Sequence, residues 1–202
     1  MSLLKQTAAR LIPKYFKPEI VSVILGGVSQ STALMQETWG LVFFTGSERV
    51  GSIIAGAAAK TLSPVILELG GKAPCVVTED APEISAMCDR IIWGKSINSG
   101  QTCVAPDYLM IHESQIQAVT AGLTQALHRQ YGEDQKASTE FGRNVTQGHT
   151  QRLKDMLQEA EEAGCEVLSG GSALVDVDQR YVPTSLIRVN PPPTRNTLGC
   201  GS

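Results

Sequence analysis

A mixed α/β chain organised on a parallel sheet is the fold class this sequence predicts, and three observations predict it. Short, solid apolar runs recur at Ile20-Val21-Ser22-Val23-Ile24-Leu25, Leu41-Val42-Phe43-Phe44 and Pro64-Val65-Ile66-Leu67-Glu68, as strands of a covered parallel sheet do. Stretches of helical period separate them. The resulting order of strand, helix, strand, helix, strand fits right-handed crossovers in a doubly wound sheet.

Each element follows from its own residues. Residues 2–16 read as a helix with Leu3, Leu4, Ala8, Leu11 and Ile12 on one face, ended by Lys17-Pro18. The first apolar run closes on Gly26-Gly27, and Ser31 to Trp39 reads as a short helix. After the second run comes Thr45-Gly46-Ser47. Residues 47–61 are then helical, with Val50, Ile53, Ile54, Ala57 and Ala58 on one side. The third run ends at Glu68. Beyond Gly70-Gly71 the rhythm changes, and a domain boundary is expected near 69–71.

The second half begins with a strand at Pro74 to Val77. Asp80 is expected to cap a helix, with Pro82 in its start, Glu83 as the reciprocal partner and the stripe Ile84, Met87, Ile91, Ile92. Asn98 to Gln101 is polar and irregular, Tyr108 to Ile111 a strand, and Ser114 the cap of a helix through Ile116, Val119, Leu123 and Leu127 to Tyr131. A polar loop, 132–144, precedes a helix from Gln147 to Ala163 with Leu153, Leu157 and Ala160 inward and Gly164 as its stop. Cys165 to Leu168 and Tyr181 to Val189 are expected strands.

Composition narrows the function. In 202 residues, 42% hydrophobic and 18% charged, net charge is −3, so the chain is globular and has no basic face for nucleic acid. No apolar run nears the roughly 18 residues that span a bilayer, and Met1-Ser2-Leu3-Leu4-Lys5 lacks a signal-peptide core. The five cysteines, 75, 88, 103, 165 and 200, form no C-x-x-C pair. This argues against a disulfide framework or zinc site and for a reducing compartment, the cytoplasm. The three histidines form no ligand cluster, so no metal is expected.

Two residues stand out. Cys103 follows Asn98-Ser99-Gly100-Gln101-Thr102, small and polar rather than an apolar stripe, so its thiol is expected within reach of a substrate. Taken alone, a free cysteine is more often inert core than nucleophile. Cys75 and Cys88, on apolar elements, read as packing. Glu68 ends an apolar strand, 35 positions before Cys103. It is either a salt-bridged strand end, with Lys72 as partner, or a base at the carboxyl edge of a parallel sheet. Asn98 reads as holding the loop before Cys103 rather than as an oxyanion donor. The turn Phe44-Thr45-Gly46-Ser47-Glu48-Arg49-Val50-Gly51 opens a helix whose free N–H groups suit phosphate, although a merely capped helix has the same pattern.

Together these stretches resemble the aldehyde dehydrogenase superfamily. They are Phe44-Thr45-Gly46-Ser47-x-x-x-Gly51, Glu68-Leu69-Gly70-Gly71-Lys72, and Asn98-Ser99-Gly100-Gln101-Thr102-Cys103-Val104-Ala105-Pro106-Asp107-Tyr108. The last is similar to the class-3 and fatty-aldehyde branch. The resemblance implies part of a doubly wound, Rossmann-like dinucleotide-binding domain at 1–69, part of a thiol-bearing α/β catalytic domain at 70–190, and an unstructured tail outside the family pattern at 191–202.

It further implies oxidation of an aldehyde to a carboxylic acid with NAD or NADP. Cys103 is the implied nucleophile and Glu68 the base that activates water against the thioester. Thr45, Gly46, Ser47, Gly51, Leu69 and Gly70 are implied cofactor contacts. An aldehyde substrate and a homodimer are implied partners. The family's oxyanion asparagine and its ribose-binding lysine would lie upstream of Met1, and its Glu-Glu-x-Phe-Gly-Pro stretch has no counterpart here. Dinucleotide binding is then expected to be weak, and loss of one oxyanion donor costs about 100-fold in rate. The second expectation is therefore a catalytically silent truncated remnant or an interaction subunit. The third is dinucleotide-independent ester hydrolysis by Cys103 and Glu68.

Overall fold

The computed structural model describes residues 3–189, in an α/β arrangement with parallel strand pairs. The chain divides between Leu69 and Gly70 into two compact units. The expected tail at 191–202 lies outside the described residues.

In the first unit, α1 (Leu3–Tyr15) and α2 (Val28–Leu34) precede β1 (Val42–Thr45), α3 (Glu48–Lys60) and β2 (Val65–Glu68). Strands β1 and β2 pair in parallel, Val42 opposite Val65 through Thr45 opposite Glu68. Side chains alternate across a strand, so Val42, Phe44, Val65 and Leu67 are half-buried while Phe43, Thr45, Ile66 and Glu68 are exposed. Helix α3 contacts both strands, and its buried Gly51 and Ala58 let it lie close.

Three expectations for this unit are corrected. Residues 20–25 form no strand. An apolar β-branched run becomes a strand only where a neighbour accepts its backbone ladder, and β1 is paired with β2 alone among the described residues. The expected inner faces of α1 and α3 are not wholly covered: Leu3 and Leu4 are 81% and 79% exposed, and Ile53 is 61% exposed. The second helix starts and stops earlier than 31–39. Gln30 reaches back so that its Oε1 accepts the Gly27 N–H at 2.9 Å. Past its end, the Trp39 indole N–H donates to the Leu34 carbonyl at 2.7 Å, capping the helix rather than continuing it.

The second unit holds β3 (Ala73–Val77), α4 (Ile84–Ser96), β4 (Pro106–Ile111), α5 (Ile116–Tyr131), α6 (Gln147–Glu162), β5 (Glu166–Ser169) and β6 (Leu186–Arg188). Strands β3 and β4 are parallel, and β5 and β6 antiparallel. The core is one cluster of Val77, Cys88, Ile91, Ile92, Val119, Leu123, Ala126 and Leu127, which joins the predicted stripe of α4 to that of α5. Burial pushes the Cys88 thiol pKa up, as does neighbouring Asp89, so this cysteine is an inert packing residue.

Two expected caps are not caps. Asp80 Oδ1 accepts the Thr78 hydroxyl at 2.8 Å, and α4 starts after Glu83, whose φ of 46° is left-handed. Ser114 is taken by His112, whose Nδ1 lies 2.8 Å from the serine Oγ, and a 3-10 turn, Glu113–Gln115, precedes α5. In both cases the polar side chain met a nearer partner than the helix N–H groups. The strand expected over 181–189 shrinks to β6, with Tyr181 in an isolated bridge to Asp176. Gly164 does end α6, at φ +83°.

Candidate active site

In the first unit the site residues gather where β1 and β2 finish. The Gly46 N–H donates to the Glu68 carbonyl at 3.1 Å, so the ladder runs one step past the strands and sets the Thr45–Ser47 turn beside Glu68. Ser47 caps α3, its Oγ accepting the Val50 N–H at 3.4 Å. The earliest N–H groups of a helix have no intrahelical partner and carry the positive end of its dipole. Leu69 lies over Gly51: a Cβ there would stand 2.8 Å from a Leu69 methyl. Thr45 and Glu68 are exposed. This turn has the donor chemistry that holds a phosphate diester, and so fits the pyrophosphate part of a dinucleotide.

Glu68 is not the salt-bridged strand end that the sequence also allowed. Lys72 pairs instead with Asp107, Nζ to Oδ2 3.1 Å, and Lys95 approaches the other oxygen at 3.7 Å. Among the described residues no ion pair neutralises Glu68, which leaves its carboxylate available as a base.

In the second unit, α4 runs into a 3-10 turn, Ile97–Gly100, and Cys103 follows. Asn98, Ser99 and Gly100 are left-handed in succession, at φ 54°, 55° and 75°. Two of them carry a Cβ, so this turn is strained. Asn98 holds it, its Nδ2 donating to the Gln101 carbonyl at 3.2 Å. The Ala105 N–H donates to the Thr102 carbonyl at 3.0 Å, which folds the chain tightly around Cys103 and leaves the thiol exposed. Gly71 lies against this turn. A Cβ on it would come within 2.8 Å of the Cys103 carbonyl oxygen.

Thr45, Gly46, Ser47, Gly51, Glu68 and Leu69 are thus brought together, while Gly70 and Cys103 belong to the second unit. Of the other cysteines, Cys88 is buried and Cys75 and Cys165 are half-buried; Cys200 lies outside the described residues. The sequence reading missed Asp107 and Gln101. Asp107 had a signal, being the one acidic residue in the run after the thiol with Lys72 and Lys95 to satisfy.

The profile of the aldehyde dehydrogenase family matches residues 3–195. The chain belongs to this family. It is 42% identical to the dimeric NADP-preferring aldehyde dehydrogenase of Rattus norvegicus over 91% of its own length and 39% of the relative's. It is 40% identical to the 4,4'-diaponeurosporen-aldehyde dehydrogenase of Staphylococcus aureus, over 88% of this chain and 38% of that one. The solved substrate-bound state of Staphylococcus aureus AldH superposes with a TM-score of 0.80 at 38% identity, covering 91% of this chain and 39% of that structure. The chain therefore spans about two fifths of the length of these relatives.

Proposed function

We propose that this aldehyde dehydrogenase chain supplies the thiol and the base for oxidation of an aldehyde to a carboxylic acid with a pyridine dinucleotide. One observation carries the reading: an exposed cysteine behind a strained turn, in a chain of this family. The Cys103 thiolate adds to the aldehyde carbonyl carbon and gives a hemithioacetal. A pyridine dinucleotide, NAD or NADP, held at the Thr45–Ser47 turn would supply the acceptor for the hydride of this carbon, the oxidation that turns the Cys103 hemithioacetal into a thioester. Glu68 takes a proton from water, and the resulting hydroxide attacks the thioester carbonyl. The C–S bond breaks, releasing the carboxylic acid and the thiolate. Thr45, Gly46, Ser47, Gly51, Leu69 and Gly70 are the proposed dinucleotide contacts, with Ser47 at the helix end facing phosphate.

The name of the rat relative supports NADP as a cofactor and a homodimer as the assembly. Free Cys75, Cys88, Cys103 and Cys165 support a reducing compartment, the cytoplasm. No helix among the described residues is long and apolar enough to cross a membrane. A second reading, an interaction subunit without turnover, is favoured by the open face of β1 and β2, where Phe43 is 63% and Ile66 45% exposed.

Calorimetry with NAD and then NADP, followed by aldehyde-dependent NAD(P)H formation, tests the proposal. Saturable binding, turnover in the wild type and its loss in Cys103→Ala are expected. Undiminished turnover in Cys103→Ala would remove the nucleophile assignment, and a folded chain that binds neither dinucleotide would favour the second reading.

A further inference from the structure

We propose that Gln101 is a positioning residue that clamps the thiol-bearing turn onto the loop before α6. The inference deepens the proposed function, because it rests on Cys103 as the reacting group.

The Gln101 amide is used at both ends. Its Oε1 accepts the Val145 N–H at 2.9 Å. Its Nε2 donates to the Asn98 carbonyl at 2.8 Å and to the Arg143 carbonyl at 3.3 Å. The amide orientation follows from the partners: two carbonyls require a donor and one N–H requires an acceptor. One side chain therefore ties the left-handed turn at 98–100 to itself and to a segment more than forty positions away.

That segment is firm enough to serve as an anchor. Arg143 Nη1 donates to the Phe141 and Gly142 carbonyls, both at 3.0 Å, and Nη2 to the Lys136 carbonyl at 2.7 Å. Arg180 Nη1 donates to the Asn144 and Val145 carbonyls, both at 3.1 Å. Buried Phe141 sits edge-on between the rings of Tyr131 and Tyr181. The turn at 98–100 is backbone of a kind that persists only where its surroundings over-determine it, and the Gln101 bonds supply that constraint two residues before Cys103. Without them the turn relaxes, and the thiol loses a single direction of approach to a carbonyl carbon. Nucleophilic catalysis depends steeply on such alignment.

The test is residue-resolved amide exchange on the full chain, with two variants. Gln101→Met keeps the side-chain length and removes all three bonds. Gln101→Glu keeps an acceptor for Val145 and removes the donor. The expected pattern is exchange about tenfold faster at both Val145 and residues 98–104 in the methionine variant. In the glutamate variant Val145 stays protected and only 98–104 accelerates. Turnover is expected to fall about tenfold in kcat with KM unchanged. Equal exchange at 98–104 in wild type and Gln101→Met would overturn the clamp, as would uniform acceleration across the second unit in both variants. Accelerated exchange with kcat intact would overturn the positioning role. Alkylation of buried Cys88 reports whether the methionine variant has unfolded, in which case Gln101→Glu alone decides. Absence of wild-type turnover counts against the proposed function and leaves the exchange pattern to decide the clamp.

Discussion

Gly71 shows how much a single methyl group matters beside the proposed nucleophile, Cys103. Its missing Cβ is where the Cys103 carbonyl oxygen passes, 2.8 Å from the position an alanine would fill. The obstacle is backbone and not the end of a flexible side chain, so the turn itself has to move. Gly71→Ala is expected to lower the unfolding free energy by about 1–3 kcal/mol, the usual range for overpacking, read by urea denaturation. Wild-type stability in that variant would mean that the turn yields freely. The two contrasting cysteines were legible at this scale. Cys88 falls in the helical stripe of Ile84, Met87, Ile91 and Ile92, and it is buried. Cys103 is preceded by small and polar residues, and it is exposed. Gln101 was not legible as a clamp, because its partners, Arg143 and Val145, are remote in sequence and offer only backbone atoms.

Among the elements, the ends of α3 and α6 were read well. Ser47 caps α3 within three residues, and Gly164 closes α6. Helix α6 is capped by Thr146, whose Oγ1 accepts the His149 N–H at 3.1 Å. Thr146→Ala is expected to cost about 1 kcal/mol, as loss of an N-cap oxygen typically does; a thermal midpoint unchanged by the substitution would show the cap to be idle. Asp80 and Ser114 had the same credentials as Thr146 and failed, because Thr78 and His112 took their side chains first. Strands were harder to read. Residues 20–25 have the composition of a strand and no ladder partner among the described residues, whereas β5 and β6 pair although Glu166 and Arg188 are charged, joined across the pair at 2.9 Å.

At the scale of the molecule, two carboxylates tie distant segments of the second unit. Glu161 accepts the Ser172 hydroxyl at 2.6 Å and its N–H at 2.7 Å, and these bonds hold its pKa below the ordinary 4.5. Asp176 is held below its ordinary 3.8, first by the Lys136 ammonium at 2.6 Å and then by the Gln179 N–H. A carboxylate whose folded pKa is depressed contributes stability above its unfolded pKa and loses it as pH falls through the folded value. The thermal midpoint is therefore expected to be level above about pH 4.5 with respect to these groups and to fall below it. Glu161→Gln should remove part of that acid-side fall; identical midpoint curves for the variant and wild type would assign the fall elsewhere.

By itself the sequence determined the α/β class, the stripes of α4 and α5, and the contrast between a buried Cys88 and an exposed Cys103. These follow from local period, from caps within a turn, and from the composition around single residues. Tertiary structure alone decided which apolar runs became strands, that Lys72 turns to Asp107 rather than Glu68, and that Gln101 rather than Asn98 alone fastens the turn before Cys103. Each of these is a choice among partners, and hydrogen bonds and ion pairs reach only a few ångströms. The choice is made by whichever group the fold brings within that distance, which spacing along the chain does not reveal.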